Sequence, residues 1–254
     1  MRRVLTSSKS PMHWAPKNRG RQLSDVNKGK RLAFCLKVKP RSFKSCLFAD
    51  SKLLYIYEDG TGSTKMQWFS PTARPKRVRA GNPYVFHVYA CVGKGCKSDL
   101  IFTAPSPPVG SALRKGTETF ASRHFIGVAQ QLHKTIKGWG KDSRYHRVVL
   151  DHAKQHTSKA SKAALQAMGM YLLEDFPPQS WDLNIIENCW GVLDTKLAGI
   201  RGRGAKSGRG WRSRLQKAWG SIEQPTIDKL VSSLDQRIED IKELGGAWRI
   251  PKAG

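Results

Sequence analysis

Acidic residues are scarce in this chain. Its 254 residues carry 19 Asp and Glu against 45 Lys and Arg, a formal net charge of +26. Such an excess suits a polyanionic partner, because Lys and Arg displace the counterions condensed on phosphate. Nucleic acid is therefore the leading expectation, although charge does not say what is done to it. Long apolar runs are also missing. None approaches the roughly 18 residues of a membrane span, and the basic first 22 residues lack the apolar stretch of a secretory signal. Cysteines are few and scattered, at Cys35, Cys46, Cys91, Cys96 and Cys189. Cys91 and Cys96 offer half a zinc site, but no second Cys or His pair follows at ligand spacing. Free thiols in a reducing compartment are the expectation. No internal repeat is present.

What is there divides into three parts. Residues 1–40 are basic and punctuated by Pro, Ser and Gly, so they read as an arm or linker, with Leu32, Phe34 and Leu36 available to pack on a core. Residues 41–198 hold the regular patterns. Strands are expected at 45–50, 53–59, 65–69, 84–92 and 99–104, from short apolar and aromatic runs. After "SPPVG" the period changes. Ala121, Phe125, Val128, Leu132 and Ile136 fall at helical steps, with Thr117 as N-cap. A strand at 146–151 follows, then a helix at 158–169 bounded by Ser158 and Gly169. A strand at 170–175 comes next, and then a helix whose core face is Ile186, Cys189, Trp190, Leu193 and Leu197. Residues 199–254 read as a basic, Gly-rich loop (199–214) and C-terminal helices, the last running from Pro225 to Gly246. Strands followed by alternating helix and strand predict an α/β core with a mixed sheet flanked by helices and a C-terminal helical extension.

Among so few acids, three stand at telling places. Asp50 ends the first expected strand, Asp151 ends the strand after the long helix, and Glu187 sits in the first turn of a helix. Ligand sites in open α/β sheets form at the C-terminal ends of strands, so these three carboxylates can meet at one sheet edge. Carboxylate oxygens are what Mg²⁺ takes, alongside water and substrate phosphate. Two such ions about 3.5–4 Å apart clamp the attacking and leaving oxygens of a phosphoryl displacement. Read singly, each acid also has an ordinary explanation: a turn cap for Asp50, a strand-end turn for Asp151, a surface ion pair for Glu187. Asp182 and Asn184 are expected to cap the helix start. His156 suits either a hydrogen bonder at a helix start or a catalytic group.

The stretch from Asp151 to Leu197 resembles the catalytic region of mariner-type transposases of the DDE superfamily. "DHAKQHTS" (151–158) is similar to their Asp-Asn-Ala-x-x-His-Thr-Ser. "PPQSWDLNIIENCW" (177–190) is similar to their Pro-Pro-x-Ser-Pro-Asp-Leu-Asn-Pro-Ile-Glu-Asn-x-Trp. "CLFADSK" (46–52) looks like the family's first-aspartate strand, and the closing helices from Ala218 to Gly246 are similar too. The resemblance covers roughly residues 22–248. It implies an RNase H-like fold, a metal-dependent DNA strand transferase or endonuclease, and two Mg²⁺ or Mn²⁺ ions held by Asp50, Asp151 and Glu187. It also implies double-stranded DNA as partner, a homodimer on paired DNA ends, and a nuclear place of action in a eukaryote, otherwise a cytoplasmic one. The chain departs from the pattern in five ways. Ser51 stands where the family has a second acid, and His152 where it has Asn. Trp181 and Ile185 replace prolines. Thirty-five residues separate Asp151 from Glu187, one more than is usual, and the family's paired helix-turn-helix reader is not seen before the core.

Two other readings remain open at this stage. One is a non-catalytic, domesticated DNA-binding relic on the same fold. The other is a basic RNA-associated structural protein whose acids are incidental. For phosphate contact the expected residues are Arg201, Arg203, Lys206, Arg209, Arg212 and Arg214, all in the Gly-rich loop.

Overall fold

Strand β1 (Cys46–Ile56) organises the molecule. Its side chains alternate between two faces, as a pleated strand requires. Cys46, Phe48, Leu54 and Ile56 enter one apolar cluster, and Leu47 and Ala49 the other. The sequence reading expects two strands here, broken at the polar triplet Asp50-Ser51-Lys52. The strand instead runs through, because β2 (Tyr84–Gly93) pairs antiparallel along its whole length, with Asp50 opposite Ala90, Ser51 opposite Tyr89 and Lys52 opposite Val88. Ladder hydrogen bonds come from the backbone and do not depend on apolar side chains. Asp50 therefore sits within a strand and not at its end.

In the computed structural model, residues 23–39, 42–56, 84–103, 117–136, 146–198 and 207–248 are described. The expected strand at 65–69 lies outside them. The sheet has the order β3-β2-β1-β5-β6, with β4 (Ile101–Thr103) also paired to β2. β3 (Cys96–Lys97) and β4 join β2 antiparallel. β5 (His146–Val149) and β6 (Met170–Leu172) run parallel to β1. The sheet is mixed, as expected.

Helices cover both faces. α2 (Thr117–Thr135) supplies Phe125, Val128, Ala129 and Leu132 to one cluster, and α4 (Lys159–Ala167) supplies Leu165. A short helix, α3 (Lys154–Thr157), precedes α4. Ser158 caps α4 by accepting from the Ser161 N–H, and Gly169 follows with φ +71, the left-handed geometry that ends helices. The opposite face is covered by α1 (Asp25–Lys37), α5 (Ile186–Ala198), α6 (Gly208–Gly220), α7 (Gln224–Ser232) and α8 (Leu234–Glu243). The Trp190 and Trp219 rings pack there in a tilted arrangement, with centroids 5.0 Å apart. All five cysteines are buried as free thiols.

Three local expectations are corrected. The stretch from residue 25 to 37 is a helix and not part of a linker; Ser24 caps it, and Arg31, Phe34 and Cys35 form its buried stripe. The second half of the 199–214 loop is helical. Ser207 accepts from the Gly210 N–H, and Trp211, Leu215, Ala218 and Trp219 are buried at helical spacing, which outweighs the glycines' low propensity. The single closing helix is two, α7 and α8. Ser232 Oγ donates to Asp228 O (2.9 Å) and Ser233 Oγ to Leu230 O (2.7 Å), the back-bonding that bends helices.

Candidate active site

The register of the parallel strands brings two of the acids together. Phe48 pairs with Val149. Two residues further along each chain are Asp50 and Asp151, so they lie at one level and share the parity of Phe48 and Val149. Both of those residues belong to the cluster under α5, and Asp50, still within β1, is therefore on the side from which Glu187 arrives, whereas Asp151 lies just past the end of β5.

Glu187 opens α5. Its N–H donates to Asn184 O (3.1 Å), and the positive end of the helix dipole favours a carboxylate there. Its side chain lies close enough to Asp50 to act on that carboxyl. Burial, followed by the charges of Glu187 and Asp151, raises the Asp50 carboxyl to about 7, while the Ser51 N–H (2.7 Å to Oδ1) partly offsets this. The extra residue between Asp151 and Glu187 thus does not keep Glu187 from Asp50.

Asp151 is turned the other way. The buried His156 ring donates from Nδ1 to Asp151 Oδ1, and that bond holds the carboxyl below its ordinary range. The Ala153 N–H adds a weaker contact at 3.4 Å. His156 itself is packed against the Phe125 ring, 4.5 Å between centroids. As they stand, no three acid, His or Cys side chains among the described residues form a ready metal cage. The donor set nevertheless fits a hard divalent cation. Glu187 and Asp151 both lie close enough to Asp50 to act on it electrostatically, and all three are oxygen donors. Asp151 and Glu187 are exposed and Asp50 half-buried, so the group opens to solvent.

Several supporting residues are not among those expected from sequence. Lys52 Nζ meets Asp194 Oδ2 at 2.9 Å, tying β1 to α5 beside the acids. The signal was present: Lys52 is two residues from Asp50 on a strand, and Asp194 is two turns from Glu187 on a helix. His152, in the place of the family's Asn, donates from Nε2 to Phe176 O. Asn184 Oδ1 does not cap α5, and the Asp182 carboxylate is engaged by an arginine. Both Asp182 oxygens accept from the buried Arg31 guanidinium (2.8 and 2.7 Å), and Asn184 Oδ1 is buried with no hydrogen-bond partner.

Of the residues expected to contact phosphate, Arg201, Arg203 and Lys206 lie outside the described residues. Arg209 and Arg212 are exposed on α6, and Arg214 is half-buried. The Arg212 guanidinium lies 5.2 Å from the centre of the Phe102 ring, and that of Arg214 lies 5.3 Å from Trp211. No acid occurs between Asp194 and Glu223, so this helix and the segment before it are uniformly basic.

Known proteins resemble this chain in sequence and in fold. Residues 107–205 match the family described as DDE superfamily endonuclease, a span that takes in Asp151 and Glu187. The Tc3 transposase of Caenorhabditis elegans is 30% identical over 221 residues, 86% of this chain and 62% of that protein. The Mos1 transposase catalytic domain, solved with raltegravir and Mg, superposes with a TM-score of 0.62 at 13% identity, covering 91% of this chain and all of that one. A Mos1 mariner paired-end complex with Mn superposes with a TM-score of 0.63 at 13% identity, covering 94% of this chain and 68% of that one. Fold and sequence together define a DDE-type endonuclease domain on an RNase H-like fold. In sequence and fold the chain is similar to the Tc/mariner DDE transposases, in the part that corresponds to their catalytic domain. Among the curated relatives it matches, the aligned stretch takes in between 34% and 62% of their length.

Proposed function

We propose that this domain cleaves and rejoins DNA phosphodiester bonds, with Asp50, Asp151 and Glu187 holding two Mg²⁺ or Mn²⁺ ions. The observation that carries the proposal is the meeting of Asp50 and Glu187 from separate elements, with Asp151 at the level of Asp50. Bound there, the ions would supply activation of water or a 3′-hydroxyl and neutralisation of the leaving oxygen. The chain's own part is to place the donors. β1 fixes Asp50, the start of α5 delivers Glu187, and His156 holds Asp151 as an ionised carboxylate by its hydrogen bond. The acid-free surface of α6 would take the DNA backbone through phosphate contacts, which position a duplex without reading its sequence. The Mos1 paired-end complex supports a dimer on paired ends as the working assembly. No helix among the described residues is long and apolar enough to cross a membrane, and an enzyme of this kind acts where genomic DNA is, in the nucleus of a eukaryotic host.

The test has two readouts. Mn²⁺ calorimetry on the protein should show binding that Glu187→Gln, Asp50→Asn or Asp151→Asn each weakens severely. The same changes should abolish Mg²⁺- or Mn²⁺-dependent nicking of duplex DNA, a loss of at least about 10³-fold, consistent with removing electrostatic stabilisation at a reacting centre. Duplex affinity should hardly change. Parent protein with neither Mn²⁺ binding nor nicking would establish the DNA-binding relic instead. Preference for RNA over duplex DNA at equal salt would favour the RNA-associated reading.

A further inference from the structure

Arg31 is fully buried. A guanidinium taken out of water is costly unless nearly every donor is matched. Here Nε donates to Gly246 O (2.8 Å), one terminal nitrogen to Ser180 Oγ (2.7 Å) and Asp182 Oδ1 (2.8 Å), and the other to Asp182 Oδ2 (2.7 Å). The fork thus binds α1 to the loop before α5 and to the turn after α8. A second buried arginine, Arg237 on α8, reaches the same loop from its other side. One of its terminal nitrogens donates to Asp182 O (2.7 Å) and to Asn188 Oδ1 (2.9 Å), while Nε donates to Ser233 Oγ (3.1 Å).

Glu187 lies between the points so held. Asp182 is five residues before it and Asn188 directly after it. The intervening chain is wound into successive turns, Leu183 N–H to Ser180 O, Asn184 N–H to Trp181 O and Glu187 N–H to Asn184 O. The loop begins at Gln179, a non-glycine residue at φ +54, a conformation that persists only where the surroundings impose it. Gly246, at φ +88, lets the closing turn approach α1: a Cβ there would sit 2.0 Å from Lys28 O. Leu183, Ile185 and Ile186 are buried and anchor the loop. Apolar contacts of that kind tolerate small slides, whereas a bidentate guanidinium fixes distance and angle together.

We infer that Arg31 and Arg237 are positioning residues for the Glu187 carboxylate, clamping the chain on both sides of it so that it meets Asp50. The inference rests on the reading of Glu187 as a metal-holding acid. It makes α1 and α8, which carry none of the three acids, part of the machinery that aligns them.

Arg31→Lys and Arg237→Lys each keep the charge and lose the fork. In metal-free protein, amide hydrogen exchange across 183–189 should quicken while Val88, Ala90 and Val92 of β2 keep their protection. Mn²⁺ affinity should fall by about tenfold or more, the usual cost of loosening a group that orients a metal ligand, and duplex affinity should stay at the parent value. Unchanged exchange at 183–189 would overturn the inference. So would a uniform rise across β2, or Mn²⁺ affinity intact in a folded variant with only a lowered melting temperature. Should Arg31→Lys fail to fold, the paired change Arg31→Met with Asp182→Leu, which removes both buried charges, and Arg237→Lys alone carry the same measurements. If the parent protein binds no Mn²⁺, the proposed function falls on that result, and the exchange pattern alone decides whether the two arginines hold the loop.

Discussion

Two carboxylate settings lie five residues apart in one loop, and they are opposites. Asp182 is buried and answered in full by a buried guanidinium. Glu187 faces another carboxyl, Asp50, and no ion pair joins either of them to a Lys or Arg among the described residues. In a chain of charge +26, cations are plentiful, and even Lys52, two residues from Asp50, is directed to Asp194. A carboxylate matched with arginine is a structural joint. Carboxylates that face each other suit the added cation of the proposed function.

The comparison can be broken most severely at the joint. Asp182→Leu alone should leave Arg31 buried and unmatched, at a cost of about 3–5 kcal/mol. Combining it with Arg31→Met should recover most of that loss, which denaturant unfolding of the three proteins would measure. Equal instability of the single and double variants would show that the joint is not held by its charges.

The facing carboxyls give a pH response of their own. The folded, metal-free protein raises the Asp50 carboxyl from its ordinary 3.8 to about 7. The folded state thus keeps a proton that the unfolded chain gives up. Its contribution to stability is complete below about pH 4 and is lost as pH rises through about 7. Metal-free protein should therefore weaken across that window, and Asp50→Asn should flatten the decline. Unfolding curves at several pH values in chelator check both. A steeper decline in the variant would contradict the sign.

A smaller effect is expected on α6. Arg209→Ala and Arg212→Ala should each weaken duplex binding evenly across sequences and reduce the salt slope by about 0.9 for each phosphate no longer neutralised. Titration at several salt concentrations measures it. Sequence-selective binding that salt hardly alters would place recognition elsewhere. The smallest effect should follow removal of residues 1–22. The chain beginning at Leu23 should melt in one cooperative step within about 3 °C of the parent, a shift worth about 1 kcal/mol at this size. Extending the removal through Arg31 should abolish the folded state.

Much of the fold was legible because the periods were clean. Phe125, Val128 and Leu132 on α2, and Ile186, Cys189, Trp190 and Leu193 on α5, are buried where spacing puts them. The three acids were legible as residue types at the ends of patterns, and the register then aligned two of them. What sequence did not give was long-range. The Asp182 side chain suits a cap by local rules, and only the fold brings Arg31 to it from 151 residues away. Arg31, Phe34 and Cys35 stand at i, i+3 and i+4, a helical stripe that a buried arginine disguised as linker charge. Ser233 divided a helix whose apolar stripe is continuous in sequence, because the break comes from hydroxyl bonding that periodicity does not register.

The early end of β5 has a consequence for access. At the level of Leu47 the described sheet is five strands across, from β3 to β6. At the level of Ser51 it is three, β4, β2 and β1. The width changes at Asp50, so the molecule has a step there, and Asp50 stands in its inner corner with Asp151 on the tread. One flank of β1 above the step is left without a strand neighbour among the described elements. Under the proposed function, a phosphate group could come into that corner along this flank without any of the described strands having to move aside.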